Sequence, residues 1–111
     1  MFDVIRIPAF KDNYIWLLRK GAAAAVVDPG DARPVLEVLE RESLTLASIL
    51  VTHHHADHQG GVAGLLARHP AEVFGPASES ITGITRPLSG GETIRLPALG
   101  VEFRVLAVPG H

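Results

Sequence analysis

Apolar and polar positions along the chain divide it into short alternating runs and two helical faces. Phe2, Val4, Ile5 and Ile7 alternate loosely and Pro8 closes the run, which predicts a first strand. Asp12-Asn13 reads as a turn, after which the aromatic and aliphatic residues from Tyr14 to Arg19 suit a second strand. Lys20-Gly21 turns the chain into a third, Ala22 to Val27. Consecutive alanines there also fit a helix, but the run is short, lies between glycine turns and ends in Val-Val, so the strand is preferred.

Asp28-Pro29-Gly30-Asp31 breaks the sheet and starts a helix. Asp31 is the expected N-cap, and Pro34 fits the first turn, where a missing amide hydrogen costs little. Val35, Leu36, Val38 and Leu39 form an apolar face at helical spacing, with Glu37, Glu40, Arg41 and Glu42 opposite. Leu46 to Val51 is an apolar run too short for a helix and reads as a buried strand. Val62, Leu65 and Leu66 then support a second helix ending near His69-Pro70, where a positive charge on His69 would favour the helix dipole. Ala71 to Gly75 reads as a short strand. Glycines, prolines and serines from Pro76 to Gly91 predict loop, with one helical turn around Ser78 to Ile81. Thr93 to Leu96 and Val101 to Val108 read as a hairpin around Pro97-Ala98-Leu99-Gly100. This alternation predicts an α/β layer, a mixed sheet with helices on one face.

Composition adds limits. A chain of 111 residues with 47% apolar content is one domain at most, long enough to bury ~65% of its unfolded surface. Net charge of −2 and a pI near 6.3, with basic residues scattered, leave no electrostatic footprint for nucleic acid or an anionic membrane. No window of ~18 apolar residues suits a membrane span, and no charged and apolar leader opens the chain, so the expected compartment is the cytoplasm. Absence of cysteine removes any disulfide framework, thiolate site or cysteine nucleophile. Any metal here is held by nitrogen and oxygen.

Such ligands are concentrated at one place. Thr52 to Gly61 reads T-H-H-H-A-D-H-Q-G-G, with four of the six histidines within six positions and directly after a predicted strand. Imidazole and carboxylate are ligands that zinc and similar divalent ions accept. In an extended segment residues two apart share a side, so His53 and His55 can converge on one ion while His54 points away. A helical turn after Ala56 would project Asp57 and His58 from another direction, suiting a second ion. Gly60 and Gly61 allow close backbone packing or conformations closed to other residues. A polar loop of solvated histidines, or a tag, is the plainer reading. A tag would be terminal, and random clustering seldom gives this order after a strand.

His53-x-His55-x-Asp57-His58 after a strand resembles the signature of the metallo-β-lactamase superfamily. Asp12-Asn13-Tyr14-Ile15-Trp16-Leu17, Val26-Val27-Asp28-Pro29-Gly30-Asp31 and Val108-Pro109-Gly110-His111 resemble, in the same order, the glyoxalase II branch, the hydroxyacylglutathione hydrolases. The resemblance implies the first half of an αββα sandwich in which two such sheets pack face to face. It implies two divalent ions, commonly zinc with iron or manganese as alternatives, sharing a bridging water. His53, His55 and His111 match ligands of the first ion, and Asp57 and His58 those of the second; Asp57 is also the residue matched to catalysis, with the metal-bound water. Paired ions roughly 3.5–4 Å apart can lower the pKa of a shared water toward ~7 and polarise a carbonyl, which a thioester hydrolase needs. The implied substrate is a small-molecule glutathione thioester.

Around these ligands, Asp28 is expected either to orient a ligand histidine through its other ring nitrogen or to act as a turn or cap residue. Thr52 could orient a ligand through its hydroxyl, and Tyr14 and Trp16 are expected in the core or on a sheet face. The family's bridging aspartate, its last histidine and its helical substrate region have no counterpart among these residues. Residues 1–111 are therefore expected to be the N-terminal part of a metallo-β-lactamase-fold domain. An exposed apolar sheet face on such a half would favour self-association. Alternatives are a lactonase, a β-lactamase, an iron-dependent oxygenase acting on glutathione persulfide, or an inactive metal-binding fragment.

Overall fold

The computed structural model describes residues 3–9, 13–52, 61–77, 83–89, 93–96 and 99–104 of the 111. Strands β1 (Asp3–Ala9), β2 (Asn13–Lys20), β3 (Ala23–Val27), β4 (Thr45–Leu50), β5 (Glu72–Pro76) and β6 (Arg86–Leu88) form one sheet whose spatial order is the chain order. β1, β2 and β3 pair antiparallel, and β3 through β6 pair parallel, giving the expected mixed sheet. The parallel crossovers carry α1 (Ala32–Arg41) between β3 and β4, and α2 (Val62–Leu66) between β4 and β5. A separate antiparallel pair, β7 (Thr93–Leu96) and β8 (Val101–Arg104), follows.

Period-two alternation sends each strand's side chains into two apolar layers. On the helix side Ile15, Leu17, Ala24, Val26, Ile49 and Val73 pack with Val35, Val38 and Leu39 of α1 and Val62 and Leu65 of α2. On the other side Leu18, Ala25 and Phe74 pack with Ile94 and Leu96 of β7 and with Leu99. A lone two-stranded hairpin is marginal in water. Burying Ile94, Leu96 and Leu99 stabilises it by about 1.5–3 kcal/mol per side chain.

The alanine run is a strand, as the glycine turns suggested. Gly21 takes the left-handed conformation, φ +60°, that the tight turn between β2 and β3 needs, and β3 is buried on both faces. Asp31 caps α1 as expected, its carboxylate accepting from the Arg33 N–H at 3.1 Å. Pro8 does not close β1, which runs one residue further. β1 is an edge strand of the sheet, and proline is tolerated there.

One expectation is corrected outright. The stretch Pro76 to Gly91 is not all loop: Pro76 belongs to β5, and Arg86–Leu88 forms β6, pairing Phe74↔Arg86, Gly75↔Pro87 and Pro76↔Leu88. Nothing in Arg-Pro-Leu alternates or carries a β-branched run; its strand character comes from its neighbour. Thr85 leads it in, its Oγ1 accepting from the Val73 N–H at 2.9 Å while its own N–H donates to the Val73 carbonyl at 3.0 Å. The helical turn expected around Ser78 to Ile81, the turn residue Asp12 and the end of the last strand from residue 105 on lie outside the described residues.

A second expectation is modified. The sheet face away from the helices is not bare, because β7 and Leu99 cover its centre. Val4 of β1 and Tyr14 and Trp16 of β2 remain 52%, 49% and 44% exposed on that face. Arg6 lies over the Tyr14 ring at 4.7 Å, and the Tyr14 and Trp16 centroids are 6.4 Å apart. Both aromatics are thus sheet-face residues.

Candidate functional site

Parallel strands β3 and β4 end side by side, and ligands in α/β sheets commonly sit at such carboxyl ends. The Asp28 N–H donates to the Leu50 carbonyl at 2.7 Å, and the Val51 N–H to that of Phe74 at 2.8 Å, so the ends of β3, β4 and β5 are tied together. Asp28 sits at φ +53°, a left-handed conformation that aspartate tolerates better than most residues. From there its Oδ1 accepts from the Thr52 N–H at 2.7 Å and its Oδ2 from the Thr52 hydroxyl at 2.8 Å. These contacts fit the turn residue, and orientation of a ligand histidine by Asp28 falls on residues outside those described. The Thr52 hydroxyl donates to the same carboxylate.

The chain enters the histidine segment from Thr52 and leaves it at Gly61. There the Gly61 N–H donates to the Pro29 carbonyl at 2.8 Å, one residue beyond Asp28. A Cβ at Gly61 would lie 2.5 Å from the Ala32 nitrogen, 2.6 Å from the Asp31 carbonyl carbon and 2.7 Å from the Pro29 oxygen. Gly61 itself has an ordinary right-handed φ of −92°. Close packing, rather than a special conformation, is what demands glycine at this position. Gly64 repeats the theme one turn on, where an added Cβ would come within 2.8 Å of the Ala32 Cβ.

His53, His55, Asp57, His58 and His111, the residues matched to metal binding, lie outside the described residues, as does His54. Among the described residues no group of three or more histidine, aspartate or glutamate side chains could hold a metal ion. The donor set in the sequence, imidazoles and a carboxylate without thiolate, suits a divalent ion. Tight backbone approach at Gly61 suits a segment whose ends must be placed closely. Site and residues therefore fit the group chemically.

A family model described as the metallo-beta-lactamase superfamily matches residues 10–108. The chain belongs to the metallo-beta-lactamase superfamily. Hydroxyacylglutathione hydrolase of Dechloromonas aromatica (strain RCB) is 63% identical over 111 residues, which are 100% of this chain and 41% of that protein. The protein of the same name from Alkalilimnicola ehrlichii is 54% identical over 113 residues, covering 100% of this chain and 44% of its own length. The superfamily chain thus spans about two fifths of the length of these curated relatives. Among solved structures, ETHE1 from Myxococcus xanthus superposes with a TM-score of 0.77 at 28% identity, over 99% of this chain and 49% of its own. BLEG-1 B3 metallo-beta-lactamase gives 0.79 at 23% identity, over 99% and 62%, a likeness of fold alone.

His69 departs from its expected place. The residue lies beyond α2 rather than in its last turn, and its Nδ1 accepts from the Leu46 N–H at 3.3 Å. Pairing of β4 with β5 begins only at Ser48↔Glu72, so the imidazole satisfies a strand amide before β5 is available. Sequence reasoning gave no signal for this contact, nor for the partners of Gly61, which depend on an approach between distant segments.

Proposed function

We propose that the full natural chain hydrolyses S-acylglutathione thioesters, S-lactoylglutathione to lactate and glutathione, using two divalent ions. Zinc is the first choice, with iron or manganese as alternatives. Identity over the whole chain to the Dechloromonas aromatica hydrolase carries this reading, being more than twice that to either solved structure of the superfamily. His53, His55 and His111 would hold one ion, and Asp57 and His58 the other. The ions would supply an activated water and an electrophilic carbonyl. Asp28 and Thr52 would hold the start of the ligand segment, and Gly61 its end. Residues 1–111 would form the N-terminal part of the metallo-β-lactamase-fold domain.

A glutathione thioester belongs to a reducing compartment, which supports the cytoplasm as its place of action. No helix among the described residues is long and apolar enough to cross a membrane. Taken alone, residues 1–111 would self-associate through the exposed Val4, Tyr14 and Trp16. A monodisperse monomer by light scattering would count against that pairing.

The test of function joins metal analysis to an assay on the same sample of the full natural chain. Two equivalents of metal with turnover of S-lactoylglutathione, and loss of both in His55→Ala, are the expected result. Bound metal without thioester turnover would move the assignment to another chemistry of the superfamily, and native iron would favour the oxygenase.

A further inference from the structure

Thr52 and Gly61 flank the histidine segment, and both are fixed to the same short corner between β3 and α1. Thr52 is held through two hydrogen bonds to the Asp28 carboxylate, and Gly61 through one to the Pro29 carbonyl. The corner itself is firmly seated. On one side Asp28 follows the buried strand β3 and is bonded to Leu50; on the other Asp31 caps α1, whose Val35, Val38 and Leu39 are buried in the core. Atoms that a Cβ at Gly61 would meet are all backbone atoms of this corner, which no side-chain rotation can move aside.

We propose that the corner from Asp28 to Ala32 is a two-point clamp that sets the separation of the two ends of residues 53–60, with Thr52 and Gly61 as positioning residues for the metal ligands between them. The proposal rests on the reading of His53, His55, Asp57 and His58 as ligands. Zinc–nitrogen distances are confined to about 2.0–2.1 Å, with a tolerance near ±0.2 Å, so ligands borne on one segment depend on where that segment starts and stops. A methyl at Gly61 must push the returning end away from Pro29 and Ala32. Loss of the Thr52 hydroxyl removes one of the two bonds that tie the outgoing end to the Asp28 carboxylate. Neither residue need touch a metal to alter its affinity.

Zinc affinity by chelator competition, and the visible spectrum of the cobalt-loaded protein, test this on the full natural chain. Gly61→Ala is expected to weaken zinc binding about tenfold or more, in the range typical of residues that orient ligands, and to change the cobalt spectrum. Leu46→Ala, a cavity near the opposite end of β4 from Thr52, is the comparison: it should lower the thermal midpoint while leaving affinity and spectrum unchanged. Wild-type affinity and spectrum in Gly61→Ala would overturn the clamp. If Gly61→Ala does not fold, Thr52→Val and Thr52→Ser decide: weakening by valine with recovery by serine supports the clamp, and equal affinity in both overturns it. A wild-type chain that binds no zinc overturns the ligand reading itself, and the clamp with it.

Discussion

Asp28 and Thr52, 24 residues apart in sequence, are joined by a carboxylate that receives both the backbone N–H and the hydroxyl of one residue, at 2.7 and 2.8 Å. Two parallel strands are thereby locked where they end. Thr52→Val keeps the shape and removes the hydroxyl bond, so stability should fall by about 1 kcal/mol, the ordinary value for one hydrogen bond. Asp28→Ala removes both acceptors and places alanine in a left-handed conformation that costs about 1–2 kcal/mol more. Asp28→Asn tolerates that conformation and should lie between wild type and alanine. Urea unfolding of the three variants gives the order, and an alanine variant as stable as asparagine would contradict it.

Metal should act as a ligand of the folded state. At a hundredfold excess over its Kd, zinc is expected to add about 2.7 kcal/mol of stability, and EDTA to remove it. His55→Ala should abolish the zinc-dependent rise in thermal midpoint, whereas His54→Ala should retain it, as expected from the sequence reading of an extended segment in which only residues two apart share a side. Equal losses in both variants would show that spacing is not what selects the ligands.

Much of this architecture was legible in the residues, for reasons that can be named. Asp31 is an N-cap by local chemistry, and Ala23–Val27 is a strand because glycine turns and Val-Val bound it. T-H-H-H-A-D-H offers nitrogen and oxygen ligands by residue type and spacing, which are local properties, but its histidines and Asp57 lie outside the described residues. β6 was not legible, because Arg-Pro-Leu becomes a strand only by lying against β5. Likewise the need for glycine at position 61 comes from Pro29, Asp31 and Ala32, some thirty residues earlier in the chain. Cover of the sheet by β7 was hidden for the same reason: alternation assigns Ile94 and Leu96 one face without saying what lies beneath it.

His69 offers a separation of stability from function. His69→Ala leaves the Leu46 N–H, partly buried, without the acceptor it has now and should cost about 1 kcal/mol, the low end for an unsatisfied donor. Asn carries an oxygen near the position of Nδ1, so His69→Asn should recover part of that loss. Zinc stoichiometry should be unchanged in both variants. A drop in metal content on His69→Ala would reassign the residue to the site.

Trp16 is the only tryptophan and is 44% exposed beside Tyr14. Residues 1–111 studied alone and dilute should therefore show red-shifted emission open to acrylamide quenching. Emission should shift to the blue with rising concentration if copies pair through this face. Concentration-independent emission would exclude Trp16 from any such contact.

Strand order in space, β1-β2-β3-β4-β5-β6, repeats the order in which a ribosome makes the chain. Each strand after the first emerges beside a finished neighbour, so no edge waits for a partner to be inserted later and each loop closes over a short span. The corner from Asp28 to Ala32 is likewise made before residues 53–60 exist. The residues that would position the histidine segment thus precede it in synthesis, whereas Val62, Leu65 and Val73, which help to bury α1, follow it.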